Sequence, residues 1–190
     1  ATRAALEEGI VPGGGIALSG KQSCENMLYI YTHDVIVRYL RLRAGSNNAC
    51  RPPGAQSGTV IFLGNADVYN VIVDHASVSW TTDDTVSPWA NTGQNHDQTF
   101  QFMMIGEALA GHATCFISGQ AVGSGAQTNI DLHHNFFSGC SHRIPLAKHK
   151  SMRFVNNIIY NWGFYASQAL GGISADFISN LYKAGPLDPG

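Results

Sequence analysis

Three segments toward the C-terminal end of the chain follow one pattern: IDLHHNFFSG at 130–139, MRFVNNIIYNWG at 152–163 and ADFISNLYKAG at 175–185. Each runs through apolar residues to an Asn, then through two apolar or aromatic residues to a turn. Asn135, Asn157 and Asn180 align, at separations of 22 and 23 residues. VIVRYLRLRAG at 35–45, VIVDHASVSW at 71–80 and FQFMMIGEAL at 100–109 share the strand pattern at separations near 30 residues, so those units carry inserted loops. A period just above twenty residues describes stacked units, none of which buries its apolar face alone. Short β-branched runs bounded by Gly and Asn read as strands. No adequate helical pattern lies between them, which excludes a doubly wound α/β sheet. A propeller blade needs about twice this period, and the Leu spacing of a leucine-rich repeat is absent. The reading that remains is all-β: a right-handed, single-stranded parallel β-helix of about six coils, each roughly 4.8 Å above the last. Asn at one position of successive coils forms a side-chain amide ladder, each amide donating and accepting along the stack. Asn135, Asn157 and Asn180 are therefore expected to be structural.

At 190 residues the chain makes one domain or at most two, and buries a core without needing disulfides or metals. A hydrophobic share of 44% excludes a disordered chain, and a charged share of 13% disfavours coiled coils and charged helix bundles. A net charge of −2 offers no wholesale attraction to nucleic acid or an anionic membrane, and no run of 18 apolar residues is present to span one. Cys24, Cys50, Cys115 and Cys140 lie far apart without Cys-x-x-Cys spacing, which argues against a zinc site. One or two disulfides and four buried thiols are equally compatible with them. The N-terminus lacks the pattern of a secretory signal, and the absence of an initial Met favours a fragment.

Residues 1–18, ATRAALEEGIVPGGGIAL, break from the rest. Helix formers run from Ala1 to Glu8, Gly9 ends the helix, and Pro12 to Gly15 make a flexible turn. The segment resembles a stretch of group I chaperonins at a Gly-rich hinge beside their nucleotide site, and no other chaperonin motif follows it. Residues 1–20 are thus expected to stand outside the core, with 21–190 as the β-helix domain.

NVIVDHASVSWTTDD (70–84), LHHNFFSGCSHRIP (132–145), FVNNIIYNWG (154–163) and ISNLYKAGP (178–186) occur in the order of similar motifs in pectate lyases of the parallel β-helix superfamily. The resemblance covers roughly residues 30–188. It implies a pectin-lyase-like fold, a secreted monomer, a polygalacturonate or related uronic-acid substrate, and calcium-assisted β-elimination. Elimination removes the proton beside the sugar carboxylate and expels the glycosidic oxygen. It therefore needs cations at the carboxylate and a group that takes the proton.

SHRIPLAK, residues 141–148, resembles the family's Arg-x-Pro-x-x-Arg element, which makes Arg143 the proton-abstracting residue and puts Lys148 at the position of the second, substrate-binding Arg. Arginine stays protonated in proteins, so a neutral His142 or His149 is an alternative base, with Arg143 stabilising the enolate. By the same resemblance Asp83 and Asp84 bind Ca²⁺. The calcium set is incomplete, because the usual second carboxylate falls on Ser87 and an upstream acidic position falls at Ser57–Thr59. The family's Lys before the next turn is missing from HATCFISG (112–119), where His112 is the nearest substitute. Asp74, His75, His133 and His134 read mainly as structural, and Trp80, Trp89 and Trp162 as packing residues. Two further readings stand beside the lyase: an inactive β-helix that binds acidic polysaccharide, and a non-functional chimera with a chaperonin-like tail.

Overall fold

The structure, a computed structural model, describes residues 26–45, 59–109, 112–120 and 127–187. The chaperonin-like segment, its expected helix, Cys24, Cys50 and Ser57 lie outside these residues. No helix occurs among the described residues, which form three parallel six-stranded sheets. The first holds β1 (Leu28–Ile30), β4 (Ile61–Gly64), β7 (Asp84–Ala90), β10 (Thr114–Gln120), β13 (Leu146–Lys148) and β16 (Gln168–Ala169). The second holds β2 (Val35–Arg38), β5 (Val68–Asp74), β8 (Asn95–Gln101), β11 (Gln127–His133), β14 (Ser151–Val155) and β17 (Ser174–Ile178). The third holds β3 (Arg41–Arg43), β6 (Ser77–Ser79), β9 (Met104–Gly106), β12 (Phe136–Ser138), β15 (Ile158–Tyr160) and β18 (Leu181–Lys183). Every strand pairs with the strand three places on. A parallel neighbour requires a crossover connection, and here the two intervening strands supply it. This winding is consistent with a parallel β-helix.

The winding puts like residues on like. Val73, Phe100, Leu132, Phe154 and Phe177 are register partners in the second sheet. Leu42, Val78, Ile105, Phe137 and Ile159 are partners in the third. Except for Phe177, these side chains are buried. Their rings touch along the stack, Phe137 to Phe154 at 5.8 Å and Phe154 to Phe177 at 5.4 Å between centroids. Burying each aromatic or aliphatic side chain contributes about 1.5–3 kcal/mol, so the column's stability is spread along its length.

The amide ladder is present. Asn135 Nδ2 donates to Asn157 Oδ1 at 3.1 Å, and Asn157 Nδ2 to Asn180 Oδ1 at 3.0 Å. Each of these oxygens also accepts the backbone N–H of the Asn before it, at 2.9 Å in both cases. The residue preceding each ladder position has positive φ: His134 at 56°, Asn156 at 55° and Ser179 at 54°. Tyr39, His75 and Phe102 occupy the same corner at 58°, 50° and 50°. Left-handed backbone costs a non-glycine residue roughly 1–2 kcal/mol, and the ladder hydrogen bonds hold it in the last three corners.

A disulfide joins Cys115 to Cys140, settling between them the pairing that the sequence left open. His149 is 5% exposed, and burial pushes its imidazole down to about 4, against weaker opposing hydrogen bonds from the Ser118 and Ser151 backbone. Its Nε2 is buried without a partner. This corrects the expectation that His149 is an alternative base, since a group sealed inside the column meets no substrate.

Candidate functional site

The first sheet builds the site from successive rungs. Asp84 opens β7 and is the register partner of Thr114, which opens β10; Thr114 in turn bridges to His142, just before β13. The Cys115–Cys140 disulfide ties the same two segments, one residue from Thr114 and two from His142. Three polar positions far apart in sequence are thereby stacked one rung above another.

Arg143 follows with φ at +59°, a left-handed conformation that a non-glycine residue holds only where its surroundings impose it. Its carbonyl accepts the Phe116 N–H at 2.8 Å, which fixes the backbone. Its Nη1 donates to Asp84 Oδ1 at 2.9 Å, and Thr114 Oγ1 donates to the same oxygen. The Arg143 and Asp84 side chains are 21% and 15% exposed, so the pair lies at the surface but is partly shielded. Asp83 turns the other way: its Oδ1 meets His112 Nδ1 at 2.9 Å, and its backbone N–H donates to Thr81 Oγ1 at 3.1 Å.

The ring of His142 lies 5.4 Å from that of His112 and 5.3 Å from that of Tyr165, centroid to centroid. Burial, helped by the Arg143 guanidinium and by His112, pushes the His142 imidazole below its ordinary value, while Asp84 opposes the shift. Hydrogen bonding also fixes its tautomer. Ser141 Oγ lies 2.9 Å from the Ala113 carbonyl, which can only accept, so the hydroxyl proton goes there. His142 Nδ1, 2.5 Å from the same Oγ, is then the donor. The lone pair is left on Nε2.

Five of the six sequence-derived site residues thus converge: Arg143, His142, His112, Asp83 and Asp84. Lys148 is tied to none of them by a described hydrogen bond or ion pair. It closes β13 beside Gly119, whose other register partner is Trp89, and among the described residues no contact links it to Arg143. Asp74 is buried and saturated by Arg38, His75 and Gln101, which suits a structural role. His133 and His134 belong to the outer corner between the second and third sheets, where His134 stacks on Phe102 at 5.1 Å. Trp80 and Trp89 donate to Glu107 and Asn91, and Trp162 packs against the core. Thr114, Ser141 and Tyr165 were not singled out by sequence reasoning. Ser141 lies within the SHRIPLAK motif, whereas nothing local marks Thr114 or Tyr165.

The donor set can be tested against calcium, which takes six to eight oxygen ligands. The ligand atoms of Asp83, Asp84 and His112 lie within 4.8 Å of one another. Of the four carboxylate oxygens, Asp84 Oδ1 already accepts two hydrogen bonds, and the third ligand is an imidazole nitrogen. Ser87 and Thr59, at the positions where acidic groups are expected, are 4% and 8% exposed and bring no carboxylate. These residues do not fit a calcium site.

The site carries two carboxylates against one guanidinium, with a neutral-leaning imidazole near enough to feel that guanidinium's charge. This is an arrangement that can take a proton and stabilise the negative charge left behind. No helix among the described residues is long and apolar enough to cross a membrane. Compared with models of known protein families the chain matches none, and no curated protein matches it.

Proposed function

We propose that the chain is a polysaccharide lyase of the pectate lyase type, a right-handed single-stranded parallel β-helix of about six coils that cleaves polygalacturonate or a related uronic-acid polymer by β-elimination. The observation that carries this reading is that a tautomer-fixed His142 and the Arg143 guanidinium, held by Asp84, stand on adjacent residues at one surface edge of the first sheet. His142 Nε2 takes the proton from the carbon beside the sugar carboxylate, a carbon–carbon double bond forms as the glycosidic C–O bond breaks, and water protonates the leaving oxygen. Arg143, held by Asp84, faces the negative charge that develops on that carboxyl group. This exchanges the roles first read from sequence, where Arg143 was the base, because a guanidinium keeps its proton. Ser141 acts as a positioning residue through the His142 tautomer. No step passes through calcium. The protein is read as a secreted monomer, and the Cys115–Cys140 disulfide suits an oxidising compartment.

A second reading, an inactive β-helix that holds acidic polysaccharide, is favoured by the closure of the Arg143 guanidinium on Asp84, which ties up that cation. Incubation with polygalacturonate separates the two. The lyase releases an unsaturated sugar end that absorbs in the ultraviolet, and Arg143→Ala and His142→Gln each abolish the signal while the fold persists. Retention of the polymer without product supports the binder, and unchanged turnover in either variant overturns the assignment of that residue.

A further inference from the structure

We propose that Asp83, Asp84 and His112 form a binding site for a divalent transition ion of the zinc class. The proposal concerns the same edge of the first sheet but stands without the sugar reading.

Two carboxylates and an imidazole are a mixed oxygen and nitrogen set. Imidazole suits zinc, nickel, copper and iron, whereas calcium takes oxygen alone. The three ligand atoms lie within 4.8 Å of one another, so a small closure brings them around one ion. Both carboxylates are held from behind, as ligating carboxylates are in metal sites. Thr114 Oγ1 and Arg143 Nη1 both donate to Asp84 Oδ1, and no described hydrogen bond takes Oδ2. The Asp83 backbone N–H is tied to Thr81 Oγ1. His112 Nδ1 and Asp83 Oδ1 lie 2.9 Å apart with one proton between them, and an ion takes its place as that proton moves to Nε2 of the imidazole. Three protein ligands leave further coordination positions to water or a ligand oxygen.

Charge points the same way: Asp83 and Asp84 outnumber Arg143 at this edge, and one divalent ion offsets the excess.

The test is a titration of the whole chain with Co²⁺, whose visible absorption reports coordination, followed by competition. The expected result is one Co²⁺ per chain, displaced by Zn²⁺ and not by millimolar Ca²⁺. His112→Ala and the near-isosteric Asp83→Asn each weaken Co²⁺ binding at least about 100-fold. His96→Ala, which removes an imidazole remote from the site, leaves it unchanged. Thermal midpoints identify any variant that fails to fold, and either of the first two serves alone. Displacement by Ca²⁺, full affinity in a folded His112→Ala or Asp83→Asn, or no Co²⁺ binding each overturns the proposal. All are read without sugar, so failure here is distinct from failure of the lyase reading.

Discussion

Replacing the buried His149 by leucine should remove a specific part of the protein's acid sensitivity. The folded state holds this imidazole neutral down to about 4, while an unfolded histidine titrates near 6.5. Between those values the unfolded chain binds a proton that the folded chain refuses. Stability from this group is therefore complete above pH 6.5, falls as pH drops, and is lost below about 4. The whole window is worth about 3 kcal/mol, and most of it is gone by pH 4.5. A leucine side chain cannot titrate, and the substitution also removes the Nε2 atom that has no buried partner. Urea unfolding at pH 7.5 and 4.5 measures the effect. The wild type should lose about 2–3 kcal/mol more than His149→Leu between the two values. Carboxylates held low by hydrogen bonds, such as Asp74 and Asp97, contribute to both proteins and cancel in the difference. Equal pH dependence in the two proteins would show that the imidazole is not sealed in the column, and the reasoning would fail.

Three other outcomes follow from the packing. Asn157→Ala leaves the Asn135 N–H and the Leu132 carbonyl without buried partners and should cost about 3–5 kcal/mol in denaturant unfolding. The double change Cys115→Ala/Cys140→Ala opens a loop of 25 residues and should cost about 3 kcal/mol, read as a lower thermal midpoint insensitive to reductant. A Cβ at Gly119 would lie 2.7 Å from the Trp89 ring, so Gly119→Ala should destabilise by about 1–3 kcal/mol, and a smaller residue at 89 should recover part of the loss.

Legibility in the sequence followed the sheets. The six segments picked out by pattern fall on strands of the second and third sheets, where one face is core and alternation survives. The first sheet was not picked out. Its β7 carries Pro88 in mid-strand and its β16 has two residues, so no common pattern repeats along it. That sheet is also the one that carries the site. Asn135, Asn157 and Asn180 were readable as a ladder because one residue type repeats. The left-handed corners at Tyr39, His75 and Phe102 were not, because their side chains give no hint of positive φ.

The site was legible where a local motif held its residues, as in Ser141 to Arg143. It was illegible where contact depended on winding. The Asp84–Arg143 pair spans 59 residues, and only the stacking of rungs brings Thr114 between them.

The most direct measurement is a crystal structure of the folded His142→Gln protein with a short galacturonate oligomer. The account predicts a sugar carboxylate hydrogen-bonded to the Arg143 guanidinium, with its neighbouring carbon facing position 142. An oligomer bound on another face of the column, with Arg143 still closed on Asp84, would contradict it.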